Sequence, residues 1–313
     1  MAQEHVWVDS DPMKFADDNI AVVMLVRSPE KVRIDAISTV SGNSWSKDGA
    51  DGIQDTLKVL GAHIPVHLGA QDPLVHTVDM SKREGPLEFA GAFAMPHPPV
   101  DPHGETAVPS LIQAIEHSKD GLTIVAIGPL TNIAEVLKRR PDLAPRIKRL
   151  IIMGGNVRVP GNANKTAEFN FWFDPEAASI VMKSAIPKKI MFGLDICNKA
   201  ILTKSVFDRI VAVHTPITAL YRDALGNSFP GFLKNPKATS YLWDELVAAY
   251  LIDPGFVTKS ENLYLDVVTE FGPKYGATVE MASPKSRSTT PVQVMFDLDL
   301  NRVLALYERL LKL

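Results

Sequence analysis

Four carboxylates, Asp9, Asp11, Asp17 and Asp18, crowd into ten residues near the N-terminus, behind the run Val6-Trp7-Val8 and ahead of the apolar segment Ile20-Ala21-Val22-Val23-Met24-Leu25-Val26. Like charges held against a core repel, so either their pKa values rise or a positive partner neutralises them. Lys14 stands alone in this stretch and cannot serve four acids. A hard divalent cation, calcium or magnesium, suits carboxylate and carbonyl oxygens, and no cysteine or histidine lies inside the cluster to suggest zinc. The competing reading is a solvated acidic turn that leads into a helix, with Asp17 or Asp18 as its N-cap.

A second group of residues, spread along the chain, offers side-chain oxygens and amides: Asn43, Thr131, Asn162, Glu168, Asn170 and Asp244. Such groups bind sugar hydroxyls well, because one carboxylate can accept both donors of a vicinal diol. Add a cation, and one carboxylate becomes a candidate base for a metal-bound water. Other chemistries fail on inspection. Asn164-Lys165-Thr166 lacks the glycines of a phosphate-binding loop, no Gly-x-Gly-x-x-Gly follows the first strand, and no His-Glu-x-x-His occurs. Ser44-Trp45-Ser46-Lys47 has the spacing of some acyl enzymes but none of their companion motifs. His97 and His103, separated by prolines, read as solvent-exposed loop histidines.

Elements that can position these groups follow from periodicity. Strands are predicted at 6–8, 32–40, 64–69, 122–127, 147–153 and 188–194, with helices between them at about 17–28, 50–60, 108–117 and 131–138 and another opened by Asp174-Pro175. Strands alternating with helices predict a mostly parallel sheet, whose ligand site lies beyond the carboxyl ends of the strands. Asp9, Asp11, Asn43 and Gly69 then share one rim. Residues 71–105 and 222–238 read as long loops, the second a candidate lid around Gly226 to Phe232. A helix over 239–251, three short strands and a terminal helix over 301–312 complete the pattern.

Composition bounds the rest. With 46% hydrophobic and 22% charged residues over 313 positions, the chain can form one large α/β domain. A net charge of -3 gives no reason to expect nucleic-acid or anionic-membrane binding, and small neutral molecules are the default partners. Cys197 is the single cysteine, which excludes an intramolecular disulfide and a thiolate cluster and fits a buried core thiol. The first residues lack a basic leader and the run 20–26 is too short to span a bilayer, so a cytoplasmic protein is expected.

Six stretches carry a resemblance: Asp9-Ser10-Asp11-Pro12 with Asp17-Asp18, Thr39-Val40-Ser41-Gly42-Asn43, Gly128-Pro129-Leu130-Thr131-Asn132, Met153-Gly154-Gly155-Asn156, Glu168-Phe169-Asn170 and Trp243-Asp244. In this order, through to Met295-Phe296-Asp297-Leu298-Asp299, they resemble the calcium-dependent nucleoside N-ribohydrolases, the inosine- and uridine-preferring family. The resemblance implies a single α/β domain over 1–313 with a Rossmann-like, mostly parallel central sheet flanked by helices. It implies an enzyme that hydrolyses the N-glycosidic bond of ribonucleosides to ribose and free base, working as a homo-oligomer, dimer or tetramer. It also implies that Asp11, Asp18, the Thr131 carbonyl and Asp244 hold calcium, and that Asp11 is the base that takes a proton from calcium-bound water. Asp17, Asn170 and Asp244 would grip the 2′ and 3′ hydroxyls, Glu168 and Asn162 the 5′ hydroxyl; Asn43 would lie beside base and water, Met153 would line the substrate, and Asp9 would support the site from outside the metal.

Two departures from the commoner family pattern sharpen the reading. Trp243 stands where many members have histidine before the last aspartate, as in a purine-preferring subgroup, where tryptophan stacks on the base. Purine nucleosides are therefore expected, with Phe89, Phe93, Tyr241 and Phe232 as candidates for the opposite wall; packing of Trp243 against the core is the alternative. Five residues, Pro12 to Ala16, separate Asp11 from Asp17 where three are usual, so Asp17 and Asp18 could be displaced from Asp11. The alternatives are pyrimidine or modified nucleosides, or a homologue that binds ribose without turnover.

Overall fold

Val6 and Val8 face one buried layer and Trp7 the other, the alternation of a central parallel strand covered on both sides. The computed structural model describes residues 3–75, 104, 106–228, 230–284 and 286–313. Its strands are β1 (Glu4–Ser10), β2 (Val32–Thr39), β3 (Val66–His67), β4 (Leu122–Ala126), β5 (Ile147–Met153), β6 (Lys189–Phe192), β7 (Ile201–Thr203), β8 (Thr239–Tyr241), β9 (Val257–Val267), β10 (Thr278–Met281) and β11 (Val292–Leu298). Nine form one sheet in the order β10-β9-β11-β6-β5-β4-β1-β2-β3; β7 and β8 pair separately. Every pairing in the large sheet is parallel except those that β9 makes with β10 and β11. From β1 the chain proceeds outward to β2 and β3, then returns to lay β4, β5 and β6 on the other side. The crevice between the ends of β1 and β4 is thus a topological switch point, where open α/β sheets bind ligands.

Helices α1 (Asp17–Val26), α2 (Ser46–Leu60), α3 (Ala107–His117), α4 (Thr131–Arg139), α5 (Phe169–Phe173), α6 (Pro175–Met182), α7 (Leu194–Cys197), α8 (Lys204–Val211), α9 (Pro216–Ser228), α10 (Pro230–Lys234), α11 (Asp244–Ile252) and α12 (Leu300–Leu311) cover both faces. One layer packs α1, α2, α11 and α12 on Val6, Val8, Ile37 and Val125; the other packs α3, α4 and α6 on Trp7, Ile124, Ala126 and Ile152. From Ile20 to Leu25, α1 is apolar and buried on every side, because α11 and α12 lie across it. Arg27, just past its end, donates to the Leu310 and Leu311 carbonyls at the end of α12, at 2.8 and 3.2 Å.

Several boundaries differ from the sequence expectation. Helix α2 begins at Ser46 rather than at 50, with Gly49 and Gly52 both inside it. Of the expected third strand, Val66 and His67 pair with β2, and Pro65, which has no N–H, contributes its carbonyl alone, accepting the Ile37 N–H at 2.9 Å. The helix expected from 239 starts at Asp244. Thr239, Ser240 and Tyr241 are instead extended and pair with Thr203, Leu202 and Ile201. The loop expected over 222–238 is largely helical, with α9 running to Ser228 and α10 over Pro230–Lys234. Of the loop expected over 71–105, residues 76–103 and 105 lie outside the described residues, and with them His97, His103, Phe89 and Phe93. Among the described residues no helix is long and apolar enough to cross a membrane.

Candidate active site

Asp9 ends the apolar part of β1 and anchors the switch point from below. Its Oδ1 accepts from the Ser38 hydroxyl and, at 2.8 Å, from Asn132 Nδ2. Asn132 Nδ2 also reaches the Thr39 carbonyl at 2.9 Å, and its Oδ1 accepts from Ala70 N–H at 3.0 Å. One amide at the start of α4 thereby ties the ends of β1 and β2 to the turn after β3, the rim expected for Asp9, Asp11, Asn43 and Gly69. Burial raises the Asp9 pKa to about 6.

Two residues on, Asp11 is fully buried. Its Oδ2 accepts the Asn43 N–H at 2.7 Å, and the Asp11 N–H donates to Asp18 Oδ1 at 3.2 Å. Ser10 Oγ donates to the same oxygen at 2.6 Å. Glycines flank the carboxylate: a methyl group on Gly42 would collide with Asp11 Oδ2, and one on Gly128 would come within 2.7 Å of Oδ1. The longer segment after Asp11 has therefore not carried Asp18 away from it. The solvated-turn reading fails as well. Asp18 is fully buried, and the N-cap of α1 is Ala16, with Asp17 and Asp18 inside the first turn.

Carboxylate oxygens of Asp17, Asp18 and Asp244 lie within 4.8 Å of one another, the one such cluster of potential ligands among the described residues. Asp244 opens α11, placed there by the β7–β8 pair and by the Leu242 N–H bond to the Ala200 carbonyl at 2.9 Å. Burial, then Asp17, raises Asp18 to about 8; burial, then Asp18 and Asp17, holds Asp11 well above the usual carboxylate range. Asp244 is raised likewise by burial and by Asp17, Asp18, Asp11 and Glu245. Asp11 Oδ1 and Asp18 Oδ2 are buried with no hydrogen-bond partner among the described residues. Buried orphan oxygens and an oxygen-only donor set fit a hard divalent cation. The close trio differs from the set implied by resemblance: Asp17 joins it, and Asp11 stands beside it. Thr131 begins α4 buried, its hydroxyl donated to Asp174 Oδ2 at 2.7 Å.

The sugar-binding candidates lie beyond β5. Asn170 Nδ2 donates to the Met153 carbonyl at 3.1 Å and the Ile127 carbonyl at 3.3 Å, and touches Met153 Sδ at 3.5 Å. Glu168 is the buried N-cap of α5: Oε1 accepts from Asn170 N–H at 2.9 Å, Oε2 from Gly155 N–H at 2.8 Å and Phe171 N–H at 3.1 Å. Burial raises its pKa while these bonds oppose the rise. Asn162 is exposed, and its Oδ1 accepts the Phe169 N–H at 2.9 Å. Trp243, half-buried before Asp244, packs against the core with its indole Nε1 unpartnered among the described residues. Tyr241 lies tilted against it at 5.9 Å, whereas Phe232 is buried edge-on to Phe207 at 5.5 Å.

Sequence reading passed over Glu245. It is buried, its Oε2 accepts the Trp243 N–H at 3.0 Å, and burial with Asp17 holds its pKa well above the usual range. A second acid opening an otherwise apolar helix was the available signal. Ser10, Asn132 and Asp174 also bear on the site only through contacts that spacing does not reveal.

Residues 6–305 match the family model of the inosine-uridine preferring nucleoside hydrolases. The pyrimidine-specific ribonucleoside hydrolase RihA of Shewanella baltica is 33% identical over 299 residues, covering 94% of this chain and 92% of that one. Among solved structures, the plant nucleoside hydrolase PpNRh1 superposes with a TM-score of 0.83 at 25% identity over 99% of both chains. The purine-preferring ribonucleoside hydrolase of Gardnerella vaginalis has the same fold, with a TM-score of 0.79 at 24% identity over 99% of this chain and 98% of that one. The chain belongs to the inosine-uridine preferring nucleoside hydrolase family and is a ribonucleoside hydrolase, an N-glycosidase.

Proposed function

We propose that this ribonucleoside hydrolase acts on purine nucleosides, with calcium at the Asp17, Asp18 and Asp244 cluster beside Asp11. The observation that carries the base preference is Trp243, a half-buried indole on the residue next to Asp244, with Tyr241 tilted across it. A large flat base finds there an aromatic face.

The residues divide the work as follows. A hard divalent cation bound at the cluster supplies the positive charge that offsets the acids and makes a neighbouring water more acidic. Asp11, clamped by Asn43 N–H and two glycines, keeps Oδ1 free to take the proton of the attacking water. Asn170, with its amide hydrogens fixed on Met153 and Ile127, presents Oδ1 to a ribose hydroxyl. Three backbone donors hold Glu168, leaving about one lone-pair site for the 5′ hydroxyl. As the N-glycosidic bond breaks, the sugar gains positive charge, which the surrounding carboxylates stabilise without reorganising. Proton uptake at Asp11 and departure of the base with its bonding electrons complete the displacement. We place the enzyme in the cytoplasm as a single-domain homo-oligomer, in keeping with its one buried thiol and continuous sheet.

A second reading, pyrimidine nucleosides, is favoured by the likeness to the Shewanella protein. Ribose release from inosine, guanosine, uridine and cytidine in calcium decides between them. Higher kcat/KM for inosine and guanosine supports the purine reading, and preference for uridine or cytidine replaces it with the second. Asp11→Ala should abolish release from every substrate.

A further inference from the structure

The segment between Asp11 and Asp17 contains no glycine, yet it runs close against α2. A methyl group on Gly49 would stand 2.8 Å from the Pro12 carbonyl oxygen and 3.2 Å from its ring. One on Gly52 would stand 2.6 Å from the Met13 carbonyl oxygen and 3.0 Å from that of Lys14. Positions three apart share one helix face, so the two glycines open a shallow groove in which residues 12–14 lie. The groove is also bonded at both ends. Ser44 Oγ donates to the Pro12 carbonyl at 2.6 Å. At the far end Asn19 Oδ1 accepts the Ala16 N–H at 2.9 Å, while Asn19 Nδ2 donates to Thr56 Oγ1 at 3.0 Å and the Gly52 carbonyl at 3.4 Å. Between them Phe15 enters the core.

We infer that residues 12–16 are a strap seated in the Gly49–Gly52 groove of α2, and that this seating sets the position of Asp17 and Asp18 in the cation cluster. The inference rests on the cation reading proposed above. Gly49, Gly52, Ser44 and Asn19 are positioning residues: none belongs to the cluster, and each acts through the strap. The strap leads without interruption into α1, whose first two residues are Asp17 and Asp18, so a displacement at Met13 or Lys14 is passed to both carboxylates. Supporting contacts of this kind are worth about 10–100-fold in metal affinity.

Calcium titration calorimetry on cation-stripped protein tests the inference, with Tm measured alongside. Gly52→Ala should weaken calcium binding about tenfold or more. In an exposed helix the same change would by itself be stabilising, so a loss is not a propensity effect. Ser44→Ala, which frees the Pro12 carbonyl without adding an atom, should weaken calcium binding in the same direction. Gln54→Ala, on the exposed side of α2, should leave it unchanged. Wild-type affinity in folded Gly52→Ala overturns the inference; if Gly52→Ala does not fold, wild-type affinity in Ser44→Ala overturns it instead. Failure of the wild type to bind calcium overturns the cation reading, and the strap's role with it.

Discussion

Stripped of divalent cations, the protein is expected to lose stability as pH rises towards neutrality, and calcium is expected to remove that loss. Asp18 has a pKa of about 8 in the folded chain against 3.8 for the free side chain. Between about pH 6 and 7 the folded chain therefore holds a proton that the unfolded chain has released, and stability falls by about 1.4 kcal/mol per pH unit for that proton. Asp11, Asp244 and Glu245 are pushed the same way and steepen the fall, while His67 and Lys189, both lowered by burial, oppose it. A chain of 313 residues unfolds with an entropy on the order of 0.7 kcal/mol/K, so the Asp18 proton alone should lower Tm by about 2 °C per pH unit. Scanning calorimetry in EDTA and in calcium at closely spaced pH values reads this directly. With calcium the acids are ionised in the folded state as well, and the slope should flatten while Tm rises. Asp18→Asn in EDTA should also flatten the slope, and its difference from wild type cancels groups of opposite sign such as His67, whose pKa burial lowers. A Tm in EDTA that is constant or rising between about pH 6 and 7, or an unchanged slope in Asp18→Asn, would refute the reasoning.

Three further outcomes are expected. Gly42→Ala forces its methyl into Asp11 Oδ2 and should lower kcat by about a hundredfold, the scale of a misplaced reacting group; ribose release at saturating nucleoside measures it. Glu168→Gln turns an amide donor towards a backbone N–H at the cap of α5, costing about 1–3 kcal/mol in denaturant unfolding and raising KM for the nucleoside. Lys189 is buried with Nζ on the Met182 and Ser184 carbonyls at 2.7 and 2.8 Å, and burial lowers its pKa to about 7. Above that value the unfolded chain carries the extra proton, so wild type should gain on Lys189→Met by up to about 1.4 kcal/mol per pH unit as pH rises from 7 towards 10; parallel curves would count against it.

The alternation in the chain was a strong guide to the sheet, because buried parallel strands carry apolar runs such as Leu150-Ile151-Ile152-Met153 and Asp174-Pro175 marks a helix start without ambiguity. It failed where local pattern and tertiary partner disagree. Thr239 to Tyr241 adjoin a helical pattern, but the partner strand Ile201–Thr203 holds them extended. Gly49 and Gly52 carry no such meaning in the sequence, yet a methyl group on either would strike the backbone of residues 12–14. The candidate site residues were legible as a set because their motifs fall at strand ends or helix starts. Their division of labour was not, since which carboxylates approach one another depends on where α11 crosses α1. That is why Asp17 joins Asp18 and Asp244 in the close trio, and why Glu245 went unremarked.

The packing of α1 also orders events during synthesis. Its buried apolar surface is covered by α11 and α12, which are synthesised long after it, and its Asp17 and Asp18 meet Asp244 on the first of them. A nascent chain that has completed β1, β2 and β4 must therefore carry an uncovered apolar helix next to unmatched acids until α11 and α12 emerge. Such an intermediate is a natural client for chaperones, and a truncated product lacking α11 cannot assemble the carboxylate cluster.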